Sequence, residues 1–170
     1  MLPKEGAMRS HGIWILTVGM VLAVALPGWG EPERPLEVEV LGVGAEPLSQ
    51  QPYVVMREKA GRGVVEMFIG TSEAQAIALA LNRQTTPRPL THDLMFSLMK
   101  ALQARLRQVL IHDLKENTYY AQIWVQTREG EEIYLDSRPS DAIALALRAG
   151  APIFVRPFLL KQPSSPSEVI

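Results

Sequence analysis

The hexapeptide Ala-Ile-Ala-Leu-Ala-Leu occurs twice, at 76–81 and 142–147, each time shortly after a pair of strand-like runs. Ala and Leu are among the strongest helix formers, so both copies read as helices. Strand pairs that alternate with helices in this way point to an α+β domain: one mixed sheet carrying three main helices. Duplication of a β-hairpin-plus-helix unit explains the echo. Coincidence between two Ala/Leu-rich helices explains it equally, and the sequence leaves both open.

The finer periodicities place the elements. Leu36, Val38 and Val40 alternate with Glu37 and Glu39, as in a half-buried strand. Tyr53 to Arg57 and Val64 to Ile69 read as strands joined across Ala60-Gly61-Arg62-Gly63. Ser72, three residues before Gln75, has the spacing of a capping box for a helix running to about Asn82. A Pro-containing loop, 84–90, leads to a second helix from near Thr91, with Leu94, Met95, Leu98, Met99, Leu102 and Leu106 at helical spacing for a buried face. Val109 to Leu114 is a strand, and Tyr119 to Gln126 with Glu131 to Asp136 forms a hairpin. Ser140 caps the third helix, Gly150 ends it, and Ile153 to Val155 is a last short strand.

The final hairpin can be registered from its turn. Arg128-Glu129-Gly130 suits a three-residue loop with Gly in the left-handed position. Val125 then faces Ile133 and Ile123 faces Leu135. On the other face Trp124 meets Tyr134 and Gln122 meets Asp136. Facing aromatics beside a carboxylate suit stacking of bases or sugars. They equally suit a second packing layer or a subunit interface, which would make a homo-oligomer; packing is favoured because helices are expected to cover the sheet.

The ends of the chain read differently. Lys4 and Arg9 precede an uncharged run of 14 residues, Ile13 to Leu26, and Gly28-Trp29-Gly30 offers small residues for a cut before Glu31. This is the layout of a secretory signal over residues 1–30. The rival is an uncleaved anchor, but a spanning helix needs about 20 apolar residues, so export without a stable membrane span is expected. Residues 31–35 read as a linker, 36–160 as the domain, and 161–170 as a flexible tail rich in Pro and Ser. Removal of residues 1–30 leaves 15 basic against 17 acidic side chains, net −2, so any polyanion has to be held by a local cluster. The chain has no Cys, which excludes disulfides, thiolate metal sites and Cys nucleophiles.

Candidate chemistry lies in two loops that enter helices: Pro87-Arg88-Pro89-Leu90-Thr91-His92-Asp93 and Asp136-Ser137-Arg138-Pro139-Ser140-Asp141. Each carries Arg-Pro, then a hydroxyl, then Asp. An Arg beside a helix N-terminus suits a phosphate, although hydroxyl and Asp are also what an ordinary helix start carries. His92 titrates near neutrality and is the acid–base candidate. It cannot be oriented by Asp93, since neighbours on a helix diverge, so its partner comes from another loop, Asp136 or Asp141. As a cap neighbour its side chain is expected to be exposed. No Gly-rich phosphate loop, His-Glu-x-x-His helix or Gly-x-Ser-x-Gly elbow occurs.

The segments Pro87 to Leu94 and Asp136 to Ala146 resemble the two signature segments of the bifunctional nuclease domain family. Phe68-Ile69-Gly70 with Glu73-Ala74 and Ala76-Ile77 resembles its third, and the resemblance spans about Val38 to Leu160. Typical members look cytosolic, whereas this chain carries an export signal, and Ser137 stands where the family usually has a small residue such as Ala. The resemblance implies cleavage of DNA and RNA, with nucleic acid as partner. On that reading Arg88 and Arg138 clamp phosphate, with Thr91 and Ser140 beside them and Trp124 and Tyr134 as stacking residues. His92 moves the proton, with Asp136, Arg138 and Asp141 at the reacting centre. Asp93, Asp136 and Asp141 would hold Mg²⁺ or Mn²⁺, hard cations suited to carboxylates. The alternative is a noncatalytic binding or assembly module in which the same Arg and Asp residues pair with one another. Side chains converging on an open cleft favour the enzyme; pairs closed under cover favour the module.

Overall fold

Alternating and β-branched runs form the strands, and the Ala/Leu repeats and the Thr91 segment form the helices, of the computed structural model, which describes residues 33–161. In chain order these are β1 (Leu36–Ala45), β2 (Pro52–Glu58), β3 (Val64–Phe68), α1 (Thr71–Leu81), α2 (Thr91–Ala101), β4 (Arg105–Lys115), β5 (Thr118–Gln126), β6 (Glu132–Ser137), α3 (Pro139–Ala149) and β7 (Ile153–Val155). A 3-10 turn, Pro157–Leu159, follows. The signal-like leader, most of the linker and residues 162–170 lie outside the described residues. Among the described residues no helix is long and apolar enough to cross a membrane.

The strands form one mixed sheet in the order β3-β2-β1-β7-β4-β5-β6. β4 and β7 run parallel and the other pairs antiparallel. Two three-stranded meanders, β1-β2-β3 and β4-β5-β6, thus flank β7, and each is followed by one of the repeat helices. The correspondence between the halves is one of architecture. The fold is the expected α+β domain with three helices.

The core lies between the helices and one face of the sheet. Val54, Met56, Val65 and Met67 come from one meander, and Val109, Ile111, Ile123 and Val125 from the other. α3 is at its centre: Ala142 to Ala146 are all buried. A helix enclosed on every side needs small residues where neighbouring backbones come close, which the alternating Ala supply. The far side of the sheet is not covered by these helices. Trp124 and Tyr134 stack there at 5.5 Å between ring centroids, 24° apart in plane. The packing layer expected over them is therefore absent among the described residues, because all three helices gather on the other face.

The sheet curls until strands from its two halves meet. Tyr119 of β5 donates its hydroxyl to the carbonyl of Glu66 in β3 at 3.4 Å. Lys161 runs along the outer edge of β3, with Val64 and Lys161 exchanging backbone bonds of 2.9 and 2.7 Å. This satisfies part of an edge that would otherwise present open donors and acceptors.

Three sequence expectations are corrected. The Leu94, Leu98, Leu102 stripe is exposed, and α2 turns His92, Phe96 and Met99 inward instead. Gln103, at φ 57°, ends the helical turn, so Leu106 belongs to β4, which is longer than expected. The hydroxyls do not cap. The N-caps are Gly70, Leu90 and Arg138, so Ser72, Thr91 and Ser140 fall inside the first turn. Pro139 takes the first helical position of α3, where a missing N–H costs nothing.

Candidate functional site

The three helices share one arrangement at their starts: each has an acid at its third position, Glu73, Asp93 and Asp141. An acid there complements the helix dipole and can reach back to the free N–H groups. Asp93 does so, accepting from Leu90 N at 2.9 Å. Glu73 folds over Gly70 so closely that a Cβ on that residue would lie 2.2 Å from Oε2. The remaining carboxylate oxygens are turned towards cations of α3.

Two clusters result. In the first, Arg138 Nε donates to Asp141 Oδ2 at 2.6 Å, and Nη2 donates to Asp141 Oδ1 at 3.0 Å and to Glu73 Oε1 at 2.7 Å. His92 Nε2 lies 3.0 Å from Asp141 Oδ1 and, carrying a proton, donates to it. All three helix starts are thereby joined. In the second, Arg148 Nε donates to Asp93 Oδ1 at 2.6 Å, while Nη1 donates to the carbonyls of Ala144 at 2.8 Å and Ala76 at 3.2 Å.

Electrostatics follow the contacts. Burial pushes the Asp141 carboxyl up, but hydrogen bonds from Arg138 and His92 outweigh it and hold it below its ordinary range. Arg148 holds Asp93 low in the same way. Asp141, then Glu73, keep Arg138 firmly protonated.

The expected meeting of the two Arg-Pro loops is found, through His92 and Asp141. His92, expected to be exposed, is only 6% exposed, because α2 turns that face towards α3. Arg88 and Thr91 are exposed, and among the described residues their side chains make no ion pair with the cluster. Asp136, Trp124 and Tyr134 sit on the sheet face opposite α3 and do not join it. Sequence reasoning missed Glu73 and Arg148 as partners. Glu73 had a signal, its third-position acid within a family-like segment. Arg148 had none, since a basic residue in a last helical turn reads as dipole complement.

The residues do not assemble the expected divalent-metal set. Among the described residues no three His, Asp or Glu side chains converge on a common point. Both oxygens of Asp141 and both of Asp93 are engaged, and Asp136 stands apart.

Beside the Arg138 cluster is an open cleft of about 500 Å³, lying between the end of β3, the β4–β5 turn and the start of α3. Arg138 and Ser140 line it. Arg138 Nη1 has no partner among the described residues. Ser140 is 7% exposed, yet its hydroxyl makes no hydrogen bond among them either. Donors are therefore unspent at the point where the cleft meets α3.

Residues 54–168 match the model described as the bifunctional nuclease domain. The chain belongs to that family. Two uncharacterised proteins of Mycobacterium tuberculosis, from strains CDC 1551 / Oshkosh and ATCC 25618 / H37Rv, are similar to it. Each is 43% identical over 126 residues, 74% of this chain and 74% of the relative. The matched span of the bifunctional nuclease domain takes in all three helix starts, both ion-pair clusters and the cleft. β1 precedes it, although β1 pairs with both β2 and β7 in the sheet.

Proposed function

We propose that this domain hydrolyses phosphodiester bonds of DNA or RNA at the cleft beside Arg138. Family membership supports a nuclease, and the observation that carries the site is the unspent Nη1 of Arg138 next to the unpartnered Ser140 hydroxyl. Phosphoryl transfer requires little covalent help from protein; it needs placed donors on the phosphoryl oxygens as charge develops. Glu73 and Asp141 fix the guanidinium plane from two sides, so Nη1 is presented without conformational search. Ser140 Oγ supplies a second donor on the same helix turn. Hydrolysis adds water across the P–O bond, with one proton delivered to the leaving oxygen. His92 is too covered to touch substrate, and acts on Arg138 through Asp141 as a positioning residue. No step is assigned to a divalent ion, since the carboxylates are already committed to cations.

A second reading has its own support. Every carboxylate of the two clusters is already paired, as a noncatalytic binding or assembly module requires. The test is a nuclease assay on the purified chain with single-stranded DNA and RNA, alongside Arg138→Ala and His92→Gln. The nuclease reading expects turnover by the parent, a large loss of kcat in Arg138→Ala, and in His92→Gln a smaller loss of kcat with KM unchanged. Wild-type turnover no higher than that of Arg138→Ala would withdraw the reading in favour of the module.

A further inference from the structure

The cleft beside Arg138 has an aromatic wall that the phosphate chemistry does not use. Phe68, the last residue of β3, is 59% exposed, a large apolar side chain left open next to charged groups. It borders two adjoining hollows, the 500 Å³ cleft and a second of about 290 Å³. Its ring is supported: Tyr53, its cross-strand partner, meets it edge-on at 6.2 Å and 82°. Tyr53 is held in turn because it lies across Gly44, where a Cβ would be 2.5 Å from Tyr53 Cζ. Lys161 borders both hollows, and its ammonium makes no ion pair among the described residues.

Exposure of a braced aromatic ring costs the folded protein favourable burial unless something stacks on it. Beside unspent donors for a phosphate, the group that fits is a nucleobase: every base offers a π-face, and a neighbouring phosphate reaches the cation. A base inside a duplex has both faces covered and cannot lie on the ring. We infer that the cleft seats one unpaired nucleoside of the substrate, its base stacked on Phe68 and its phosphate at Arg138 and Ser140. Single-stranded nucleic acid is then the preferred substrate. The inference rests on the nuclease reading for the phosphate end; the stacking end stands on Phe68 alone.

Binding separates the two. The probe is a fluorescein-labelled phosphorothioate oligothymidylate of about twelve residues, within the range that single-strand binders occupy. Anisotropy is read with the full chain, against a duplex of the same length. Phe68→Ala should weaken single-strand binding roughly 5- to 100-fold, the range for loss of one base–aromatic stack. Phe68→Trp should restore it, and the duplex should bind more weakly than the single strand. Because Phe68 is exposed, both variants should melt as the parent does. Unchanged affinity in Phe68→Ala, with cleavage still lost in Arg138→Ala, would overturn the stacking site and leave the nuclease reading intact. Phe68-dependent binding without cleavage by the parent would keep the stacking site and remove the nuclease reading. Equal affinity for duplex and single strand, or none for either, would overturn the inference.

Discussion

Arg138 and Arg148 stand at opposite ends of one helix, and each donates through Nε to an aspartate at 2.6 Å. Their surroundings differ. The Arg138 side chain is 66% exposed and keeps a donor unspent at the mouth of a cleft. The Arg148 side chain is 9% exposed and divides its donors between Asp93 and two backbone carbonyls. The same ion pair is therefore a presented group at one end and a clasp at the other, holding α2 and α1 against α3. What separates the two is how many donors remain and whether solvent reaches them; strength of pairing does not.

The sharpest way to break this contrast is to truncate both arginines and read activity and stability together. Arg138→Ala should lower nuclease turnover by about 10²- to 10³-fold, the cost of one preorganised donor, and shift the melting temperature little. A large fall in melting temperature with unchanged activity per folded molecule would make Arg138 a second clasp. Arg148→Ala should do the reverse: turnover per folded molecule is kept, and about 2 kcal/mol of stability is lost in urea titration. That is less than for a fully enclosed pair, because Asp93 remains 37% exposed.

Acid should act on both ends. Asp93 and Asp141 are held below the ordinary carboxylate range in the folded chain. Groups depressed in this way add stability that is complete above the unfolded value, about pH 4, and is lost as pH falls through the folded values. Urea midpoints should therefore be flat from pH 8 to pH 6 on their account and decline below about pH 4. The decline should be shallower in Arg148→Ala, where Asp93 returns towards its ordinary range. An equally steep acid limb in that variant would remove Asp93 from the explanation. The smallest effect belongs to Lys100→Ala, on the exposed side of α2, where only a contact with the Phe96 ring at 4.8 Å is lost. About 0.5 kcal/mol or less is expected, with unchanged turnover.

The sequence disclosed most where local rules suffice. The β5–β6 pairing was readable residue by residue, because a three-residue turn ending in Gly130, at φ 90°, leaves one register. Gly150 was readable as a helix stop for the same reason, at φ 66°. The α2 stripe misled because helical period shows which residues share a face and not which way the face points. The caps misled because Ser, Thr and a nearby acid compete for one task, and here the third-position acid takes it. In the site, the pairing of His92 with a carboxylate of the other loop could be anticipated, since no neighbour on its own helix could serve. The covered state of His92, and the reach of Arg148 to a residue 55 positions away, depend on packing that no local pattern encodes.

α3 also sets what kinds of change the chain can absorb as it diverges. Both arginines are indexed to one rod, and adding or deleting a single residue between them would rotate one end by about 100° relative to the other. Arg138 and Arg148 could then no longer face their acids at the same time. Point substitutions on the open strand face can accumulate and be tolerated singly. A length change between Pro139 and Ala149 would uncouple presentation from clasp in one step, whereas the turn at Glu116–Asn117, already at positive φ and exposed, can lengthen without disturbing either. Divergence in this domain should therefore be written in its turns and never in the length of its central helix.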